Sequence, residues 1–352
     1  MWIYFTVALL FLSGAGIIAA DEPLAYPLWD GRETVAAYAQ RAHLAPTAQL
    51  KLSDKVQMDF VLIPAGKFRM GTEPPYRPLI SVSTAWMMFW TGCVGISALV
   101  IALTIDIVQR RKFSFSLRSL LVMTLAGGLA VGGFARWHLA LKEESVCREQ
   151  NNEYFQSHSN EMRACSILIS WPFYMGKYPV TQEQYETVVG RNAGWFKGDQ
   201  NPVERVTWYN AQDYCKKTRE LLKADGQAEP SLKLPTEEQW EFACRGGTQT
   251  LYYSGDTEAD LIRVAWYDGN SGKTTHPVGQ KEPNAFGLYD MHGNVRQWCA
   301  DYFDKSMSLE ERVTRGGSWH DSREWCRSAN RGSNNPAVHE KYVGMRLVME
   351  IP

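Results

Sequence analysis

The chain has no excess of positive charge. Its 37 Lys and Arg stand against 38 Asp and Glu, for a formal charge of -1. This gives no electrostatic reason to expect a nucleic acid as partner. It has 7 cysteines but no close C-x-x-C pair, which removes the usual support for a zinc site or a thioredoxin-type redox pair. A dinucleotide fingerprint is also missing, because Gly246-Gly247 and Gly316-Gly317 are too far apart to form one. Ser318, His320 and Asp321 are close in sequence but do not form a nucleophile elbow, so no hydrolase triad follows from their order. His292, His320 and His339 sit in no close metal-ligand motif.

Charge is absent from three apolar segments. Met1 to Ala20 is followed by Asp21 and Glu22 and reads as a secretory signal or an N-terminal anchor, although no Lys or Arg precedes it. Ala85 to Ile105 carries no charged residue and as a helix would rise about 31 Å, the thickness of a hydrocarbon core. Leu120 to Ala135 is shorter. With Leu117 and Trp137 it extends to a span of 117–137, with Arg118 and Arg136 directed at headgroups. Arg110, Arg111 and Lys112 lie between the two spans, and the positive-inside rule places the loop around 109–116 in the cytoplasm. The expectation is a transmembrane hairpin in a lipid bilayer, with both flanks on the extracytoplasmic side.

The hairpin divides a domain. We expect a leader at 21–55, a first domain piece at 56–74, an insertion at 75–160 and the main piece at 161–350. Phe60 to Gly71 reads as strand, turn and strand. Thr181-Gln-Glu-Gln184 and Thr236-Glu-Glu-Gln239 have capping-box spacing. They predict helices ending near Gly190 and at Gly246-Gly247. A third helix is expected from Thr207 through Leu221, before Gly226. Val343 to Val348 reads as a terminal strand. Helices among short strands and aromatic loops, without a βαβ succession, point to an α+β class.

The ordered motifs FYMGKYPVT, NPVERVTWYNAQDYC, LPTEEQWEFACRGG, FGLYDMHGNVRQW, RGGSW and VGMRL, preceded by the strand Phe60 to Gly66, closely resemble the formylglycine-generating, or sulfatase-modifying factor, family. The resemblance implies a C-type-lectin-like α+β domain with irregular loops. Family oxidases use copper and oxygen to convert a sulfatase cysteine to formylglycine, with two reactive cysteines just after the Gly-Gly-Ser-aromatic turn. Here the first of those places is Asp321, a hard oxygen ligand unable to exchange thiols. Cys326, five residues on, is the remaining candidate for a catalytic thiol. Its Cys-Arg-Ser-Ala context is similar to that of nonoxidising relatives.

The leading expectation is therefore a membrane-tethered domain binding a peptide, protein or small polar ligand, with Arg315, Trp319, His320, Asp321, Arg327 and Asn330 lining the inherited cleft. The alternative is a divergent copper oxidase that uses Cys326. The resemblance also implies calcium held by Asp290, Gly293, Val295 and Gln297, with Gln297 standing where the family more often has Glu. The six cysteines outside the apolar span would face an oxidising space. Cys147 and Cys165 could staple the base of the insertion, while Cys215, Cys244, Cys299 and Cys326 could equally be buried thiols.

Overall fold

The computed structural model describes residues 26–72, 161, 164–304 and 310–351. Two compact units divide the chain, one of Met1–Gly71 with Cys165–Pro352 and one of Thr72–Ala164. In chain order the first unit contains α1 (Val35–Ala42), β1 (Thr47–Lys51), β2 (Gln57–Ile63), β3 (Gly66–Met70), β4 (Cys165–Ile169), β5 (Phe173–Gly176), α2 (Gln182–Val189) and α3 (Trp208–Ala224). There follow β6 (Leu232–Lys233), α4 (Glu237–Arg245), α5 (Glu258–Val264), β7 (Ala265–Trp266), β8 (His292–Gly293), β9 (Arg296–Tyr302), β10 (Arg312–Arg315), β11 (Arg331–Asn334), β12 (Val343–Gly344) and β13 (Val348–Glu350).

Helix starts follow local chemistry. Thr181, Thr207, Thr236 and Thr257 each cap a helix through a hydroxyl that accepts an amide three residues on. In each, the third helical residue's side chain returns a bond to the cap's own amide, satisfying two otherwise orphaned donors. Gly190 and Gly246 end α2 and α4 in the left-handed region, where glycine has no Cβ penalty.

The main sheet has the order β1-β2-β5-β13-β6, and each neighbouring pair is antiparallel. Phe60 and Leu62 of β2 are fully buried in a cluster with Tyr38, Tyr214, Trp298 and Leu347. Each such large apolar side chain contributes roughly 1.5–3 kcal/mol by leaving water. Residues 35–51, within the expected leader, take part in this fold. β1 pairs with β2, and the buried Tyr38 hydroxyl accepts the Ala65 amide at 3.1 Å.

A second sheet, β11-β10-β9-β12, carries the site. α4 is tied to it by buried charge. Glu241 holds Arg245 at 2.9 Å and also pairs with Arg315, while Glu237 takes Arg331 at 2.6 Å. β3 and β4 pair on their own, with Met70 opposite Cys165.

Two expectations are corrected. The terminal strand breaks in two, at Met345 to Leu347. The reason is Arg346, whose guanidinium turns into the interior to reach the carbonyls of Gly176, at 2.6 Å, and Tyr289. The membrane architecture is also corrected. Among the described residues no helix is long and apolar enough to cross a membrane, and 1–20, 85–105 and 117–137 lie outside those residues. The fold is therefore stated as α+β, without a transmembrane hairpin. The signal peptide or anchor, the bilayer partner and the placement of the loop at 109–116 in the cytoplasm are not carried forward.

Candidate functional site

The site forms where β10 runs into Gly316 and Gly317, both at positive φ. Close approach as well as conformation demands glycine at 317, because a Cβ there would come within 2.6 Å of the Cys326 sulfur. The turn that follows is pinned by its own groups. The Trp319 amide donates to the Asn294 carbonyl at 3.0 Å, and the Ser318 hydroxyl donates to Asp321 Oδ2 at 2.6 Å.

Asp321 is not a free carboxylate. Arg296 of β9 donates Nε to Oδ2 at 2.8 Å and Nη2 to Oδ1, a two-point pairing that fixes both groups. The Arg296 guanidinium also lies over the rings of Trp325, at 4.9 Å, and Tyr342, at 5.3 Å. Burial is the largest single influence and disfavours its charge. The hydrogen bond and the negative charge of Asp321, with smaller contributions from Tyr342 and Cys326, together outweigh it and raise the arginine above its ordinary value.

Cys326 lies behind this pair, fully buried. Burial, followed by the charge of Asp321, pushes its thiol up. Nucleophilic attack and metal ligation need the thiolate, so both are suppressed here. Cys244 is buried as well and is pushed up to about 12, chiefly by desolvation. Its sulfur lies 3.9 Å from His292 Nε2. Burial pushes His292 down to about 3, and its Nε2 accepts the Tyr253 amide at 3.1 Å.

Among the described residues no group of three or more His, Cys, Asp and Glu is placed to hold a metal ion. The divergent copper oxidase expected as the alternative is corrected on that donor set and on the sealed Cys326. The three histidines are likewise dispersed in role. His292 is buried, His320 is exposed, and the exposed His339 has Nδ1 3.0 Å from the Arg205 carbonyl. Ser318 gives its hydroxyl proton to Asp321 and accepts the backbone amide of His320, which is not the bonding order of a triad. None of the described cysteines, 165, 215, 244, 299 and 326, is in a disulfide. Cys93 and Cys147 lie outside the described residues.

The six residues expected to line a cleft separate into wall and surface. Arg315 is fully buried, paired with Glu241 and donating to the Asn330 carbonyl. Trp319 is only 4% exposed, and its indole N–H donates to the Lys341 carbonyl at 3.0 Å. Asp321, Arg327 and Asn330 are half-buried, and His320 alone is exposed.

Of the four expected calcium ligands, the two that would offer side-chain oxygens, Asp290 and Gln297, already have those oxygens engaged. Gln297 Oε1 accepts from Trp240 Nε1 and from Arg346 Nε, each at 2.9 Å. Asp290 accepts the Gly279 amide at 2.7 Å and Asn294 Nδ2 at 3.2 Å. Desolvation raises the Asp290 carboxyl. Calcium bound through Asp290, Gly293, Val295 and Gln297 would require Gln297 to release both donors, so the residues as placed do not fit the ion.

Sequence reasoning missed the surface beside His320. Phe196 packs edge-on against Trp319 at 5.1 Å, and Trp195 next to it is 59% exposed. Their two amides both donate to Oε1 of the fully buried Glu204. Arg205, at φ 60, lies over the Trp195 ring at 5.6 Å. Tyr342 completes the face, its ring 6.4 Å from that of His320.

The sequence model of the Sulfatase-modifying factor enzyme 1-like domain matches residues 144–351, more than half of the chain. The chain belongs to this family. It is similar to the Chaperone protein LppX of Paenibacillus barcinonensis, with 36% identity over 195 residues, covering 42% of this chain and 69% of that protein. It is also similar to the Formylglycine-generating enzyme of Mus musculus, with 28% identity over 199 residues, covering 49% of this chain and 50% of the enzyme. The chain thus spans about half the length of that enzyme. Among solved structures, PvdO from Pseudomonas aeruginosa shares the fold at a TM-score of 0.55 and 19% identity, covering 87% of this chain and 99% of that one. That likeness extends to the fold alone.

Proposed function

We propose that this chain is a nonoxidising member of the sulfatase-modifying factor family, a binding domain that recognises extended polypeptide on the face formed by Trp195, Phe196, His320 and Tyr342. One observation carries the first half of this reading. The carboxylate of Asp321, at the place of a reactive cysteine, is locked by Arg296, and the remaining thiol of Cys326 is sealed beneath Gly317. The second half is supported by the exposed Trp195 beside half-buried Phe196 and Tyr342 and exposed His320. Exposed aromatic residues on a fixed frame bring large contact area at small entropic cost. The relative called a chaperone protein makes polypeptide the first ligand to test.

The test is fluorescence anisotropy of a labelled, uncharged extended peptide carrying Leu and Phe anchors. Trp195→Ala is expected to weaken binding by about fivefold or more, the scale of an interface anchor. Equal affinity in the variant would remove the face from consideration. In parallel, a Cys-x-Pro-x-Arg peptide incubated with the copper-treated protein and oxygen is expected to keep its cysteine. Formylglycine detected by mass spectrometry would overturn the nonoxidising reading.

A further inference from the structure

Between the end of α2 and the first turn of α3 lies a cavity of about 270 Å³. Arg191, Asn192, Arg205, Asn210, His339 and Tyr185 line it, and no carboxylate does. We propose that this cavity binds an anionic group, a carboxylate or a tetrahedral oxyanion, between the guanidinium groups of Arg191 and Arg205, with the Tyr185 hydroxyl as a further donor. The assignment rests on the cavity itself and stands apart from the reading of the aromatic face.

Four observations converge on it. Among the described residues neither arginine is paired with a carboxylate, whereas Arg245, Arg296, Arg315 and Arg331 all are. Two cations facing one concave space without a counter-charge repel each other, and an anion relieves that repulsion.

Tyr185 is only 2% exposed, and its ring is stacked on Tyr214 at 5.4 Å. Its hydroxyl makes no hydrogen bond to another described residue. A hydroxyl on a cavity wall, without a partner and carried by a side chain otherwise held in the interior, is a donor awaiting an acceptor.

Arg205 is held before any ligand arrives. Its amide donates to the Glu340 carbonyl at 3.0 Å, its carbonyl meets His339 Nδ1 at 3.0 Å, and its guanidinium lies over Trp195. A guanidinium positioned in this way loses little freedom on binding. The neighbouring amide supports the same polarity, since Asn210 Oδ1 already accepts the Thr207 amide at 3.3 Å. That leaves the Asn210 NH₂ to donate.

Two carboxylates close to these residues in the chain, Asp213 and Glu204, do not cancel the charge. Asp213 is paired with Lys217 at 2.9 Å. Glu204 feels Arg205, but burial pushes it up to about 7, so near neutrality it is only partly ionised.

The experiment titrates the full chain with sodium sulfate and, separately, with N-acetyl-aspartate, following thermal unfolding and tryptophan emission. Sodium chloride at equal ionic strength is the control. A saturable response to sulfate, to N-acetyl-aspartate or to both, but not to chloride, is expected, and the stronger of the two anions identifies the ligand chemistry. Arg191→Gln with Arg205→Gln should weaken the apparent affinity by at least about tenfold, the loss attached to one charge-assisted hydrogen bond.

Sulfate also stabilises proteins by exclusion from their surface. An identical response in the double variant would therefore assign the effect to exclusion and overturn the site. No saturable response to either anion would overturn it equally. Tyr185→Phe, which keeps the ring and removes only the hydroxyl, is the second variant should the double change disturb folding. It should weaken binding by several-fold, and unchanged affinity would remove Tyr185 from the site.

Discussion

Gln297 and Arg346 are joined in the interior by a hydrogen bond of 2.9 Å from the guanidinium Nε to the amide oxygen. The same guanidinium serves the carbonyls of Gly176, Tyr289 and Asp290. Among the described residues no carboxylate pairs with it, and burial lowers Arg346 to about 10. It stays protonated at neutral pH and is neutralised by dipoles instead of charge. Arg346→Leu would leave several buried oxygens without donors, and the expected loss is about 3 kcal/mol or more. Urea unfolding measures it; a loss below about 1 kcal/mol would show that water or repacking satisfies those oxygens.

The same bond bears on calcium. Because Gln297 Oε1 already accepts from Trp240 and Arg346, neither millimolar calcium nor EGTA should move the unfolding temperature. A rise that saturates with calcium would mean that Gln297 gives up those donors to a metal.

The Asp321–Arg296 pair predicts a cost without a gain in chemistry. Asp321→Asn should destabilise by about 2 kcal/mol, the value of a hydrogen bond to a charged group. Asp321→Cys should not create an oxidase, since Cys326 remains buried under Gly317. Formylglycine production by that variant would show that a single restored thiol suffices.

Thiol accessibility offers a direct reading of the same wall. Native alkylation should modify Cys165, which is exposed, while Cys215, Cys244, Cys299 and Cys326 react only on unfolding. Peptide mapping after brief iodoacetamide treatment decides this, and labelling of native Cys326 would contradict its burial.

Glu204 introduces a pH dependence of known sign. Desolvation raises it from 4.5 to about 7, so between these values the folded state holds a proton that the unfolded state has released. The neutral carboxyl therefore supports folding fully below about 4.5 and loses that advantage as pH rises through about 7, by about 3 kcal/mol at most. Glu204→Gln keeps an oxygen for the Trp195 and Phe196 amides and removes the titration. Its stability relative to the unmodified chain should rise between pH 5 and pH 8. A constant difference across that range would mean that Glu204 titrates alike in both states.

How far the sequence could be read depended on the range of each interaction. The caps at Thr181 and Thr236 are three-residue signals and were legible, as was the helix beginning at Thr207, though not its cap. Thr257 with Asp260 has the same spacing but was hidden among turn-forming residues. The absence of a cysteine at 321 was legible too, whereas its partner Arg296, 25 residues earlier, became a neighbour only when β9 and β10 paired. Trp195 lies in none of the ordered motifs, and although Arg205 falls within NPVERVTWYNAQDYC, nothing in that run pairs the two; their meeting depends on Arg205 adopting φ 60. Arg346 was hidden for a different reason. Its run of apolar neighbours has strand alternation, and only tertiary oxygens explain why the chain breaks there.

The pairing of Met70 with Cys165 at the open end of β3 and β4 has a further consequence. Facing residues of an antiparallel pair lie about 5 Å apart, a gap that a two-residue turn can bridge. The polypeptide thus leaves the α+β domain and returns to it through one doorway. The register that sets Met70 against Cys165 is therefore also what fixes the points of departure and return.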